Sequence, residues 1–374
     1  MHGGKVVPAG QTAALIGGHP ARLFFDTGVG APAVLSADFV KKIGLKMAVA
    51  APEHDLDPIP GKPEVGFTEP YAVTYFGIVS DPFPIPVFAM PANVPRGDEV
   101  FEGMIGWPMM RATPWSFDLS AGQFNQISKV PDRVKKWAQF QIWDADNTLT
   151  WVLPSDPRGV ERVIVDTGNP SGIELPPDQW KEWVAANPHA PMTLFMDYLP
   201  GQKIRCAYES FAKTFPMGSL VLHNVAVSES DPSYYEVQAE PGEKVVAIGL
   251  QAFARMEVFL DPANRTSYVR ESRHSALPYL HNRMGAIFFP MDSEQADSPL
   301  VAKVVPNTPA AQAGIRDGDI LLKVDHFPIA YWRDDGTLLR RMGGRVPAGT
   351  KITYTVRRGD AELDLTATAR DILR

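Results

Sequence analysis

The sequence predicts a mainly β protein made of a duplicated unit followed by a smaller C-terminal domain. Three features lead there. Short runs of branched and aromatic residues are broken by turns drawn from 35 prolines and 30 glycines, a pattern that suits strands and disfavours a helical bundle. A set of landmarks recurs in order at a domain-sized offset. From about Ala276 the pattern gives way to a different, compact motif set.

The repeat starts at Leu23-Phe24-Phe25-Asp26-Thr27-Gly28 and returns at Val163-Ile164-Val165-Asp166-Thr167-Gly168. Each copy is three apolar residues, read as a buried strand, running into a turn that the glycine allows to be sharp. A carboxylate is thereby left at a strand end. Gly77 in Tyr75-Phe76-Gly77-Ile78 answers Gly218 in Pro216-Met217-Gly218-Ser219, an offset of 141 against 140 for the two aspartates. Met104-Ile105-Gly106 answers Ala247-Ile248-Gly249 at 143, and twelve residues past each of those glycines stand Phe117-Asp118 and Phe259-Leu260-Asp261. The period is far longer than that of a solenoid repeat.

Taken in order, the first unit opens with a hairpin: Thr12 to Ile16, a turn at Gly17-Gly18-His19-Pro20, and Ala21 to Phe25. Ser36 to Gly44 reads as a short helix, with Ser36 as N-cap, Phe39, Val40 and Ile43 on one face, and Gly44 as terminator. Pro52 to Gly66 is polar and rich in Pro and Gly, and strands follow at Tyr71 to Val79, Ile85 to Met90 and Gly103 to Gly106, with a last one before Gly122. Lys129 to Lys136, charged and containing Pro131, reads as the connector, so the units divide as 1–130 and 131–275. The second unit repeats the plan: strands from Ala138 to Leu153, a turn at Ser155 to Gly159, the strand Arg162 to Val165, a helix Pro177 to Ala186, a strand Leu220 to Val227, and Val245 to Gly249.

In the last region, 276–374, a strand Val301 to Val305 precedes Pro309-Ala310-Ala311-Gln312-Ala313-Gly314-Ile315 and Asp317-Gly318-Asp319-Ile320-Leu321-Leu322. Small alanines let a short helix pack closely, Gly314 caps it, and Gly318-Asp319 turns into the next strand. This set resembles a PDZ domain of the bacterial type. The resemblance implies that Met284, Gly285, Ala286 and Ile287 form the loop whose backbone N–H groups hold a peptide's terminal carboxylate, and that a PDZ ligand peptide adds to the sheet edge.

The two Asp-Thr-Gly turns, each with its later hydrophobic-hydrophobic-Gly segment, resemble the pepsin and retropepsin group of aspartic peptidases over about Gly10 to Val269. That resemblance implies two barrel-like lobes in one chain, related by pseudo-twofold symmetry, with Asp26 and Asp166 facing each other across a cleft. It implies an aspartic endopeptidase acting on a peptide or protein substrate without metal or cofactor. Two close carboxylates cannot both ionise cheaply, as in the aspartic-protease dyad, so one serves as base for a water and the other as acid. Thr27, Gly28, Thr167, Gly168 and Asn169 would support the turns. The residue after Asp-Thr-Gly is Val29 in one copy and Asn169 in the other; only Asn169 has a side chain able to donate to its aspartate. In the family the substrate-covering flap falls near 52–66, and Asp197 to Gly201 takes that position in the second unit. Tyr71, Tyr75 and Tyr198 are flap-aromatic candidates, although each reads more often as a half-buried strand residue. The alternative is an inactive scaffold of the same kind acting as a peptide- or protein-binding module.

Other classes find less in the sequence. The eight histidines include no His-Glu-x-x-His spacing, no Gly-x-Ser-x-Gly elbow occurs, and Cys206 has no nearby histidine in sequence. His274 and His281 read as solvated, and Trp107, Trp115, Trp143 and Trp151 as core. A net charge of −7 argues against a nucleic-acid partner, and no apolar run approaches the 18 residues of a membrane span. A single cysteine rules out an internal disulfide. No signal peptide is visible, and Met1-His2-Gly3-Gly4 reads as an artificial junction, so periplasmic or secreted localisation is what the resemblance implies.

Overall fold

A computed structural model of the chain describes residues 11–48, 64–88, 102–143, 147–153, 159–197, 204–231, 243–274, 279, 281–292, 298–332 and 335–373. The described chain is mainly β and falls into three sheets. The first holds β1 (Gln11–Ile16), β2 (His19–Asp26), β3 (Ala33–Ser36), β4 (Glu64–Tyr71), β5 (Val73–Tyr75), β6 (Ile78–Val79), β7 (Phe83–Phe88) and β8 (Gly103–Gly106), ordered β4-β7-β3-β8-β2-β1-β5-β6. Gly17 and Gly18, at φ 55° and 87°, turn β1 into β2, where a side chain would be strained. Along β2 Ala21, Leu23 and Phe25 are buried while His19, Pro20 and Arg22 are exposed, the alternation of a half-buried strand that ends in buried Asp26. The helix Ala37–Ile43 forms as expected: the Ser36 hydroxyl accepts from the Phe39 N–H, and Gly44 closes it at φ 73°.

The second sheet has twelve strands: β9 (Trp115–Asp118), β10 (Gln123–Gln126), β11 (Ala138–Trp143), β12 (Thr150–Val152), β13 (Arg162–Val165), β14 (Ile173–Leu175), β15 (Met192–Asp197), β16 (Arg205–Met217), β17 (Leu220–Glu229), β18 (Val245–Ile248), β19 (Met256–Asp261) and β20 (Thr266–Glu271). Their order is β10-β9-β19-β20-β11-β12-β13-β18-β14-β17-β16-β15. β9 and β10, which precede Pro131 in sequence, thus pair into the second sheet rather than the first. Phe117 of β9 stands opposite Val258 of β19, so the two Phe-Asp landmarks of the repeat meet on neighbouring strands. Each also does the same local work. The Asp118 carboxylate accepts from the Ala121 N–H and that of Asp261 from the Asn264 N–H, each starting a single 3-10 turn.

The other landmarks repeat as faithfully. β2 runs parallel to β8 with Phe25 beside Ile105, and β13 runs parallel to β18 with Val165 beside Ile248. The closing glycines let a backbone pass underneath. A Cβ on Gly106 would lie 2.0 Å from the Ala31 carbonyl oxygen, and one on Gly249 2.5 Å from that of Ser171. One hydrophobic core spans both sheets, with Trp107, Trp115 and Trp151 almost wholly buried and Phe25 stacked on Phe117 at 5.5 Å. Trp143 departs from the expected core position: it is 40% exposed, and the Arg162 guanidinium lies over its ring. Tyr75 is buried, Tyr71 accepts a hydrogen bond from the Lys46 N–H, and Tyr198 lies outside the described residues, as does most of 52–66.

The third sheet contains β21 (Ala286–Pro290), β22 (Leu300–Val304), β23 (Ile320–Val324), β24 (Phe327–Pro328), β25 (Lys351–Arg358) and β26 (Ala361–Thr368), ordered β21-β22-β23-β25-β26 with β24 on β23. Helices Pro309–Gln312 and Gly336–Met342 pack onto it, and Gly314 and Gly318 stand at φ 94° and 86° where the sequence requires turns. Its core takes in two residues from beside the second sheet's edge: Ile204, just before β16, is buried within it, and Met196 of β15 packs against it. His281, expected at the surface, is buried; its Nε2 accepts from the N–H groups of Ile372 and Leu373 and fastens the C-terminal stretch.

Candidate functional site

The two Asp-Thr-Gly turns come together. Thr27 donates its hydroxyl to the Val165 carbonyl at 2.5 Å and accepts from the Thr167 N–H at 3.0 Å. Thr167 returns both bonds, to the Phe25 carbonyl at 3.0 Å and from the Thr27 N–H at 3.1 Å. Both threonines are buried, so these groups have exchanged water for one another. Leu149, just before β12, ties the loops further: its N–H donates to the Thr27 carbonyl and its carbonyl accepts from the Val165 N–H.

That lattice fixes the aspartates. Within its own turn Asp26 accepts from the Gly28 N–H at 2.9 Å, and Asp166 accepts from the N–H groups of Gly168 at 3.0 Å and Asn169 at 3.1 Å. Each carboxyl lies against the opposite glycine. A Cβ on Gly168 would stand 2.2 Å from Asp26 Oδ2, and one on Gly28 2.6 Å from Asp166 Cγ. Asn169 reaches Asp166 through its backbone, while its side-chain oxygen accepts from the Ser171 N–H. The Asn169 main chain thus supports Asp166, and its side-chain oxygen shapes the following turn. The result is two carboxyl groups side by side, each accepting main-chain N–H groups of its own turn.

A second group of residues lies at the start of β21. Gly285 takes φ 72° against Thr308, whose Cβ would be 2.3 Å from a side chain there. The N–H groups of Met284 and Gly285 converge on one point, now filled by the Asn282 side-chain oxygen at 2.9 and 3.0 Å. Met284, Ala286 and Phe288 share a core with Leu338 and Met342 of the helix Gly336–Met342. Ala286 and Ile287, the last two of the four predicted loop residues, are already in the strand, opposite Val304 and Lys303. Asn282 and Leu149 were missed by sequence reasoning; an Asn two residues before Met-Gly was the only hint of the first.

Two other chemistries find little support in the geometry. Asp118, Ser272 and His274 form a Ser–His–Asp grouping, but the serine hydroxyl donates to the carboxylate at 3.0 Å and not to the imidazole, so nothing activates it. Among the described residues no group of three or more His, Cys, Asp or Glu could hold a metal ion.

Comparison with known proteins bears on these sites. A protein of Synechocystis sp. provisionally named serine protease HhoA is 39% identical over 72 residues, 19% of this chain and 17% of that protein. Proteins of Brucella suis biovar 1 and Brucella melitensis biotype 1 provisionally named zinc metalloproteases are each 35% identical over 89 residues, 24% of this chain and 22% of theirs. The chain thus covers about a fifth of the length of these relatives. Their names, of serine and metallo type, conflict with an aspartic mechanism. The expectation of an aspartic-type endopeptidase with a water activated between Asp26 and Asp166 is corrected accordingly, and with it the aspartyl, pepsin-like and retropepsin-like labels. The family model for the PDZ domain matches residues 283–368, and with the third sheet and its helices in place, the chain carries a C-terminal PDZ domain.

Proposed function

We propose that this protein binds extended polypeptides, with the PDZ domain taking up the chain end. The observation that carries the reading is the convergence of the Met284 and Gly285 N–H groups at one end of β21, the terminal strand of its sheet. Met284, one of the two donors, shares a buried apolar core with Phe288, Leu338 and Met342. A peptide carboxylate satisfies the two donors, its last side chain enters the apolar surround, and its backbone extends the sheet. The ligand class is therefore a peptide or protein with a free, aliphatic C-terminus.

On the same reading residues 1–130 and 131–275 are lobes of the aspartic-peptidase kind in fold, related by a pseudo-twofold axis. The swapped Thr27 and Thr167 bonds and the matching parallel pairs β2–β8 and β13–β18 support this. Asp26 and Asp166 then form the polar floor of a cleft that holds the body of a peptide through its N–H groups. A periplasmic or secreted setting is part of the proposal, checked by cell fractionation.

The central test is a titration of the full chain with a fluorescein-labelled octapeptide ending in valine, as the free acid and as the amide. Saturable binding of the acid and at least tenfold weaker binding of the amide is expected. Gly285→Ala, whose Cβ runs into Thr308, removes that preference. Equal binding of acid and amide, or none of either, overturns the reading.

A further inference from the structure

Asn282 is 1% exposed and every hydrogen-bonding position of its side-chain amide is used. Oδ1 accepts from the N–H groups of Met284 and Gly285, at 2.9 and 3.0 Å. Nδ2 donates to the carbonyls of Ala286, at 2.8 Å, and of Leu194 in β15, at 3.0 Å. Two donors on one side and two acceptors on the other fix which way the amide points. The Asn282 main-chain carbonyl in turn accepts from the Thr193 hydroxyl, also in β15, at 2.8 Å. One side chain therefore fills the carboxylate position of the PDZ loop and holds the edge strand of the second sheet.

We infer that Asn282 is a latch: a peptide carboxylate and β15 compete for the PDZ loop through this one amide. The inference rests on the peptide-binding reading above. A carboxylate arriving at the Met284 and Gly285 N–H groups displaces Oδ1. The amide then has to rotate, and Nδ2 loses Leu194. Ligand uptake thus loosens β15, and by linkage anything that holds β15 in place weakens ligand uptake by the same factor. In the latched state the PDZ domain is its own competitor.

The test uses the full-length chain and the same fluorescein-labelled octapeptide ending in valine, as acid and as amide, by fluorescence anisotropy. Amide hydrogen exchange is followed over residues 192–197. Asn282→Ala frees the loop N–H groups, and the acid should bind about tenfold tighter than to wild type with the amide unchanged. Asn282→Asp keeps an acceptor on the loop but removes both Nδ2 donations. It should gain no affinity for the acid, yet exchange faster across 192–197 without peptide. Thr193→Val, which leaves the loop untouched, should raise acid affinity about two- to threefold. In wild type, saturating acid peptide should speed exchange across 192–197. If wild type prefers the acid but Asn282→Ala and Thr193→Val, both folded by circular dichroism, bind it no tighter, the latch is refuted and the peptide-binding reading stands. If wild type does not distinguish acid from amide, the peptide-binding reading and the latch fall together.

Discussion

Thr27 and Thr167 each reach into the other's loop, so neither turn is complete without its counterpart. Removing one hydroxyl leaves a buried N–H and a buried carbonyl without their partner, a loss of about 1–3 kcal/mol. Thr27→Val and Thr167→Val should each lower the stability measured by urea unfolding by that amount. The double variant should lose less than the sum, because the two hydroxyls also share a contact at 3.4 Å and a loop loosened by the first substitution holds the remaining pair of bonds less firmly. Strict additivity would mean the two loops do not act as one unit. Gly168→Ala should cost about 1–3 kcal/mol through its clash with the Asp26 carboxyl. The two turns were legible because Asp-Thr-Gly behind an apolar run is a local signature that occurs twice; their meeting was expected only through the resemblance. Leu149 and Asn282 were not legible. Their importance comes from backbone groups that tertiary pairing brings to them, and no spacing in the chain records that.

At the scale of elements, most strands lay where alternation and turn residues put them, and the helix Ala37–Ile43 was readable from its cap to its closing glycine. β9 and β10 were harder: nothing local tells a strand which of two sheets it will join, and their partner β19 lies far along the chain. β16 also holds a group that sequence alone would place in water. Glu209 is buried, opposite Thr193 on β15 and Ser228 on β17. Burial chiefly, with a contribution from Glu174 and against that of Arg345, pushes its pKa up to about 8 from an ordinary 4.5. The folded chain therefore keeps a proton that the unfolded chain releases between these two values. Stability from this group is intact below about pH 4.5 and is lost as pH rises toward 8, by an amount on the order of a few kcal/mol. Glu209→Gln should match wild type at pH 4 and exceed it at pH 8 in urea unfolding. A variant with the wild-type pH slope would show that Glu209 is ionised in the fold.

For the whole molecule the issue is whether the PDZ domain rides on the rest or folds with it. Such a domain has its own core and ordinarily moves against its neighbours unless a substantial apolar contact prevents it. Here the neighbour sends Ile204 into that core and lays Met196 against it, while Thr193 and Leu194 bond to Asn282. Burying an isoleucine contributes about 1.5–3 kcal/mol, and cutting it back to alanine in a packed site costs about 2–5 kcal/mol. That is comparable to the coupling needed to make two units melt as one. Wild type should show one calorimetric transition in which the PDZ core and the twelve-stranded sheet unfold together. Ile204→Ala should split it into two, the earlier one belonging to the unit with the weaker core, with tryptophan fluorescence assigning each. Trp332 reports on the PDZ core, and Trp115 and Trp151 on the core of the first two sheets. A single unshifted transition in Ile204→Ala would place the coupling outside this contact. Two transitions already in wild type would mean that Ile204 docks the domain without joining it to the cooperative unit.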